Sequence, residues 1–200
     1  MEVGNIGSGN AANALARMIN QRVDIDIPKV EMLKVQDFAG TWSKISNNLF
    51  LCWSHISGLT NATVLTIFKI NEIIDIISLI IGEESKIEVD KIHKFNDFPE
   101  LYQSALSEVG HILGSHYTNA LGNLLNVRLM TDPPDVNIDS GKNLVKILKE
   151  DLGLVKELSL VITTQIILKE KKIQGSFLFI PDLDKLKALL DALSEFQIEI

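Results

Sequence analysis

Glu2 and Asn5 bring a carboxylate and a carboxamide within three positions of each other near the start of the chain. On a helix, residues at i and i+3 or i+4 share a face, so the two side chains would be neighbours. A carboxamide donates and accepts hydrogen bonds while staying neutral, and a carboxylate accepts them and carries a charge. Ser104, Glu108 and His111 form a second stripe of this kind, spaced four and then three residues apart.

The two stripes belong to an internal repeat. Glu2 to Val30 align with Glu108 to Val136 at a shift of 106 positions without a gap (108 − 2 = 106), and 12 of the 29 positions are identical. We therefore interpret residues 1–200 as one domain, with a first repeat at 1–82, a connection at 83–97 and a second repeat at 98–200. The identical pairs are Glu2/Glu108, Val3/Val109, Gly4/Gly110, Ile6/Ile112, Asn13/Asn119, Ala14/Ala120, Leu15/Leu121, Asn20/Asn126, Arg22/Arg128, Asp26/Asp132, Pro28/Pro134 and Val30/Val136.

A single Glu–Asn pair on a helix is usually no more than part of a solvated face. Two features favour function here: the glutamate recurs in both copies, and a proline follows the second polar residue by 23 positions each time (5 + 23 = 28; 111 + 23 = 134). Glycines also crowd both helices, at about 0.5–1 kcal/mol of helix stability each. They make sense where another backbone comes close, and they are Gly4, Gly7, Gly9, Gly110 and Gly114.

The segment from Glu2 to Ala12, together with Pro28, resembles the CheC-type phosphatases of bacterial and archaeal chemotaxis. Their motif is Asp or Ser, three residues, Glu, two residues, Asn, 22 residues and Pro. The second copy matches it with Ser104, Glu108 and Pro134 but has His111 at the Asn position. The Pro133–Pro134 pair and the run from Gly175 to Pro181 are also similar to the family.

The resemblance implies a hydrolase that removes the phosphoryl group from the aspartyl phosphate of the response regulator CheY. Asn5 would orient the attacking water, and Glu2 would pair with a lysine of the regulator. The family has no metal or cofactor of its own, because the phosphorylated partner supplies Mg²⁺. A magnesium ion and a positioned water suffice for an acyl phosphate, which is already reactive.

Two departures from the family motif bear on activity. A neutral imidazole at His111 can donate and accept, but its shape and reach differ from those of an amide and it can be charged near neutral pH. The chain begins at Met1, so the position four residues before Glu2 has no counterpart and Glu2 should lie in a fraying end turn. We expect weak phosphatase activity that depends mainly on Glu2 and Asn5. For Glu108 and His111 we favour a copy that only docks the regulator over an active variant.

A regulatory binding module is the alternative function. Family members also bind CheD, a receptor-modifying deamidase, and Lys142–Lys149 is a candidate contact. A third possibility is a relative of the flagellar switch proteins, such as the middle domain of FliM, which has the same fold. The Glu/Asn motif argues against that function, since a scaffold does not need it.

The elements that must position these residues follow from periodicity and turn signals. Each half is predicted to contain helix, strand, variable insert, hairpin and helix. The predicted α+β fold has the two repeats about a pseudo-twofold axis, one mainly antiparallel sheet and the two long helices on a face. The predicted elements are a helix to about residue 20, a strand in 23–35, a hairpin of 48–57 and 61–70, a helix 72–81 capped by Asn71, a helix 99–125, a strand 136–138, a helix 142–149, a hairpin of 158–168 and 173–180, and a closing helix 182–193.

Charge and composition exclude several other classes of protein. A net charge of −7 and a pI near 5.1 argue against nucleic acid and anionic membranes as partners. Cys52 is the single cysteine, and no segment has the length or leader pattern of a membrane span or signal peptide, so we expect a cytoplasmic protein. The glycine-rich stretch from Gly4 to Gly9 lacks the lysine of a phosphate-binding loop, and the scattered His55, His93 and His116 do not indicate a metal site.

Overall fold

The computed structural model describes residues 2–25, 29–44, 48–58, 62–82, 87–124, 128–151, 158–168 and 171–181. The predicted closing helix at 182–193 and Pro28 lie outside these ranges. The first half contains α1 (Glu2–Ile19), β1 (Val23–Ile25), β2 (Lys29–Lys34), α2 (Val35–Trp42), β3 (Asn48–Gly58), β4 (Ala62–Lys69) and α3 (Ile70–Ile81). The second half contains α4 (Glu100–Leu124), β5 (Leu129–Thr131), β6 (Asp135–Ser140), α5 (Gly141–Lys146), β7 (Leu158–Leu168) and β8 (Lys171–Pro181).

The strands form one antiparallel sheet built around two hairpins. Strands β3 and β4 make one hairpin, β7 and β8 make the other, and β4 pairs with β8 between them. The short strands cross over: β1 and β2 pair with β7, whereas β5 and β6 pair with β3. The predicted α+β fold with a mainly antiparallel sheet is confirmed, and each half contributes its short strands to the hairpin of the other half.

Helices cover both faces of this sheet. Because side chains alternate along a strand, Phe50 and Cys52 of β3 face one layer while Leu49 and Leu51 face the other. The first layer contains α1, α3 and α4 and includes the predicted pair of long helices. The second layer contains α2 and α5, which contact each other. The fold therefore has three layers, helix, sheet and helix, with a hydrophobic core on each side of the sheet.

Two local predictions differ from the structure. Helix α2 was not predicted; only its buried face, with Val35, Phe38 and Ala39, is apolar, and eight residues give a short periodic signal. Helix α3 begins one residue before Asn71, and the preceding Lys69 makes no side-chain cap, so the predicted cap is wrong. The predicted end at Gly82 is confirmed, because this glycine adopts the left-handed conformation (φ 79°) and its N–H donates to the Ser78 carbonyl.

Candidate functional site

The rotational position of α4 is fixed by a row of buried residues against the sheet. Leu106, Val109 and Leu113 are fully buried. Gly110 is also buried, and a Cβ there would overlap Cys52 Sγ and lie 2.9 Å from Cys52 Cβ and 3.3 Å from Phe50 Cζ. The close approach predicted at this glycine is real, but the neighbours are side chains of β3 rather than a backbone.

The second motif lies on the opposite side of α4. Ser104 and Glu108 are exposed and His111 is half-buried. The carboxylate of Glu108 makes no hydrogen bond or ion pair with another described residue, so it is available to a visiting molecule. Leu101 continues the stripe one turn earlier and is 61% exposed, which adds an apolar contact to a polar face. The predicted stripe is thus exposed at Ser104 and Glu108 and half-buried at His111.

The first motif is on α1, which packs against α4 in the same layer. The backbone of Glu2 and Asn5 is helical, as predicted, while their side chains lie outside the described part of the chain. Later in the helix, Leu15 and Ile19 are buried and Gly9 and Asn13 are exposed.

The other motif glycines differ in their surroundings. A Cβ at Gly114 would make ordinary contacts of 3.8 Å with Thr66 Oγ1 and Val64 Cγ1, and a Cβ at Gly9 would meet nothing within 4 Å. The expectation of a close approach is therefore wrong at these two positions. Of the two glycines in the second motif, only Gly110 has no room for a side chain.

Cys52 lies beneath Gly110 and is buried. Burial, with a smaller contribution from the negative charge of Asp135, raises the pKa of the thiol to about 12. The thiol is therefore protonated at neutral pH, which makes it a packing group rather than a nucleophile.

A polar cleft of about 720 Å³ lies beside the second half of α1, with His116 of α4 in its wall. Burial and the nearby positive charge of Arg17 lower the pKa of His116. Sequence reasoning had assigned no site to this histidine. The full lining is Asn10, Asn13, Ala16, Arg17, Asn20, Gln21, Arg22 and His116.

Within the described ranges, no group of three or more His, Cys, Asp or Glu side chains is placed to hold a metal ion. No helix in those ranges is long and apolar enough to cross a membrane.

Comparison with known proteins finds similarity to chemotaxis proteins. Residues 1–32, which include Glu2, Asn5 and Pro28, match the model of the CheC-like family. The chain is 26% identical over 197 residues to the CheY-P phosphatase CheC of Bacillus subtilis, covering 96% of this chain and 90% of that protein. The resemblance predicted from the paired motif is confirmed.

Solved structures support the same fold class. FliY of Thermotoga maritima is 16% identical with a TM-score of 0.71, covering 98% of this chain and 94% of that one. The FliM middle domain of H. pylori is 14% identical with a TM-score of 0.62, covering 95% and 93%. CheX in a complex with CheY, BeF3 and magnesium from Borrelia burgdorferi is 15% identical with a TM-score of 0.54, covering 90% and 98%. These likenesses show that the chain has the fold of FliY, FliM and CheX.

Proposed function

We propose that this protein is a phosphatase that hydrolyses the aspartyl phosphate of a CheY-like response regulator and so terminates a chemotaxis signal. The observation that carries the proposal is the family match at residues 1–32, because this segment contains the residues to which the chemistry is assigned. The identity to a CheY-P phosphatase over 96% of the chain supports it. The related fold of CheX, in a structure that includes CheY, supports the choice of partner.

The proposed mechanism needs little from this chain beyond position. Asn5 orients the attacking water in line with the scissile bond, and Glu2 pairs with a lysine of the regulator. The partner supplies the Mg²⁺ that neutralises the phosphoryl oxygens. An amide suits the task because it donates and accepts while staying neutral.

The second repeat provides a related surface in this proposal. Glu108 is exposed and without a partner in the described part of the chain, so it can dock a regulator as Glu2 does. His111 replaces the amide and is partly enclosed by its neighbours, which reduces its reach. We place the two repeats about a pseudo-twofold axis, an arrangement consistent with the exchanged short strands.

The decisive experiment measures the decay of phosphorylated CheY-like regulator with and without this protein. Asn5→Ala should reduce the acceleration on the order of 10²-fold, or about 2.7 kcal/mol at 1.36 kcal/mol per tenfold. The matched variant His111→Ala should change it far less. Full acceleration by Asn5→Ala with none by His111→Ala would mean that the second copy is the active one, and no acceleration by the wild type would reject the proposal.

A regulatory binding module for CheD is the second candidate, and the placement of α5 favours it. Lys142 and Lys146 are exposed on α5, in the helical layer on the opposite side of the sheet from α1 and α4. A partner bound there would leave the phosphatase stripes open. If Lys142→Glu weakens CheD binding without changing the decay of the phosphorylated regulator, CheD binding is a second function beside the phosphatase activity.

A flagellar switch scaffold is distinguished by the same decay assay. A scaffold would bind its partners without accelerating the loss of the phosphoryl group, and Asn5→Ala would then have no phenotype. The FliM likeness supports the fold alone and does not separate these functions.

A further inference from the structure

The cleft beside α1 concentrates positive charge in an acidic protein. Its lining includes the guanidinium groups of Arg17 and Arg22 and the titratable imidazole of His116, and no carboxylate lines it among the described residues. The chain as a whole has a net charge of −7. The guanidinium groups therefore offer an anion a local positive charge on an otherwise acidic protein.

The basic side chains of the cleft retain hydrogen-bond donors that no described contact uses. Arg22 donates through Nε to Asp24 at 3.0 Å, which leaves the other guanidinium N–H groups available. Arg17 and His116 form no ion pair with any residue that the structure describes. The amides of Asn10, Asn13 and Gln21 add further neutral donors to the lining.

The internal repeat gives independent support. Asn13, Asn20 and Arg22 are identical to Asn119, Asn126 and Arg128 in the second copy, yet none belongs to the Glu/Asn/Pro motif. Backbone conformation explains the asparagine at position 20, because its φ of 49° is left-handed and asparagine tolerates that conformation at a helix end. Among the described residues, the side chain of Asn13 makes no hydrogen bond, and Arg22 makes one exposed ion pair, with Asp24.

We propose that this cleft is a binding site for a phosphate-bearing anion, separate from the two phosphatase stripes. Guanidinium groups match phosphate oxygens in geometry as well as charge. A volume of about 720 Å³ lies within the range of small-molecule sites and exceeds that of a single phosphate ion. A phosphomonoester, with the phosphoryl group at Arg17 and His116 and its organic part along the amides, fits the cleft better than free phosphate.

Binding should be linked to protonation of His116. Burial and Arg17 hold its pKa low, and an anion at the same place would favour the imidazolium and raise it. The other charged groups at the cleft are Arg22, from the segment after α1, and Asp24 of β1, which is bonded to Arg22. On α4 itself the positions three and four residues away carry no titratable side chain; they are Ile112, Leu113, Asn119 and Ala120.

Histidine NMR of the whole protein tests the site. Inorganic phosphate and AMP are titrated separately at fixed ionic strength, with exposed His93 as the internal reference. We expect the chemical shift of His116 to change saturably with ligand and its pKa to rise. The chemical shift of His93 should not change. Tighter binding of AMP identifies an organic phosphate as the ligand class, and equal affinity identifies inorganic phosphate; both support the site.

Matched variants distinguish specific binding in the cleft from non-specific electrostatic attraction. Arg17→Gln should weaken binding about tenfold, since it removes a charge-assisted contact. Arg128→Gln, at the repeat counterpart of Arg22 and away from the cleft lining, should leave the affinity unchanged. No shift at His116 with either probe, or equal losses in both variants, would overturn the proposal. The readout is binding, so its outcome is independent of phosphatase activity.

Discussion

At the scale of single residues, two positions with similar sequence signals have different physical environments. Gly110 and Gly114 are both buried on α4, four residues apart. Only Gly110 lies so close to the sheet that a side chain would overlap Cys52. Gly110, which is identical to Gly4 in the first repeat, therefore sets how closely α4 packs on β3.

Gly110→Ala should destabilise the fold by about 1–3 kcal/mol, because an added methyl in a tight core forces displacement of Cys52 or of the helix. Gly114→Ala should be neutral or stabilising by up to about 1 kcal/mol, since it gains helix propensity and its Cβ meets only ordinary contacts. Urea unfolding of the two variants measures the difference. Equal stabilities would contradict the packing described for Gly110.

At the scale of elements, α1 and α4 pack against each other in one helical layer. Helix α4 presents Ser104 and Glu108 to the exterior, and its His116 approaches Arg17 of α1. Both side chains are cationic when protonated, so their proximity has a consequence for the pH dependence of stability.

The pKa of His116 is lower in the folded protein than its ordinary value near 6.5, so the unfolded chain binds this proton more readily. His116 therefore contributes no loss of stability above that ordinary value, and a growing loss as the pH falls from it toward the lower folded pKa. His116→Gln should flatten the decline in unfolding free energy over this interval. Denaturant titrations at several pH values measure it, with His93→Gln as the exposed control; identical pH profiles for wild type and His116→Gln would refute the assignment.

At the scale of the whole molecule, the exchange of short strands makes the two halves depend on each other. Strands β1 and β2 complete the sheet beside β7, and β5 and β6 complete it beside β3. The outer strand of each hairpin thus pairs with strands from the other half of the chain. Unfolding should therefore be cooperative across both repeats.

Cys52 offers a probe of this cooperativity, since it lies on β3 beneath α4 and its pKa is raised to about 12. A thiol reagent should leave it unlabelled in the native protein at pH 8 and label it once the fold opens. The opening free energy from labelling should equal the global value from urea unfolding. A markedly smaller value would show that α4 separates from the sheet on its own.

The sequence alone determined the elements with strong local signals. The repeat, the paired Glu motif, the two hairpins and the C-terminal ends of α1, α3 and α4 follow from periodicity, turn residues and one internal alignment. These features depend on neighbours three or four residues away, or on identity between the copies. Sequence also predicted that Ser104 and Glu108 share an accessible face.

The tertiary structure alone decided which of these residues meet. Helix α2, the second helical layer and the exchanged pairing of short strands depend on contacts between distant segments, which no local pattern encodes. The same holds for the fit of Gly110 over Cys52 and for the cleft that brings His116 to Arg17, 99 positions away (116 − 17 = 99). Packing brings such pairs together because burial of apolar surface, not sequence distance, governs where the helices lie on the sheet.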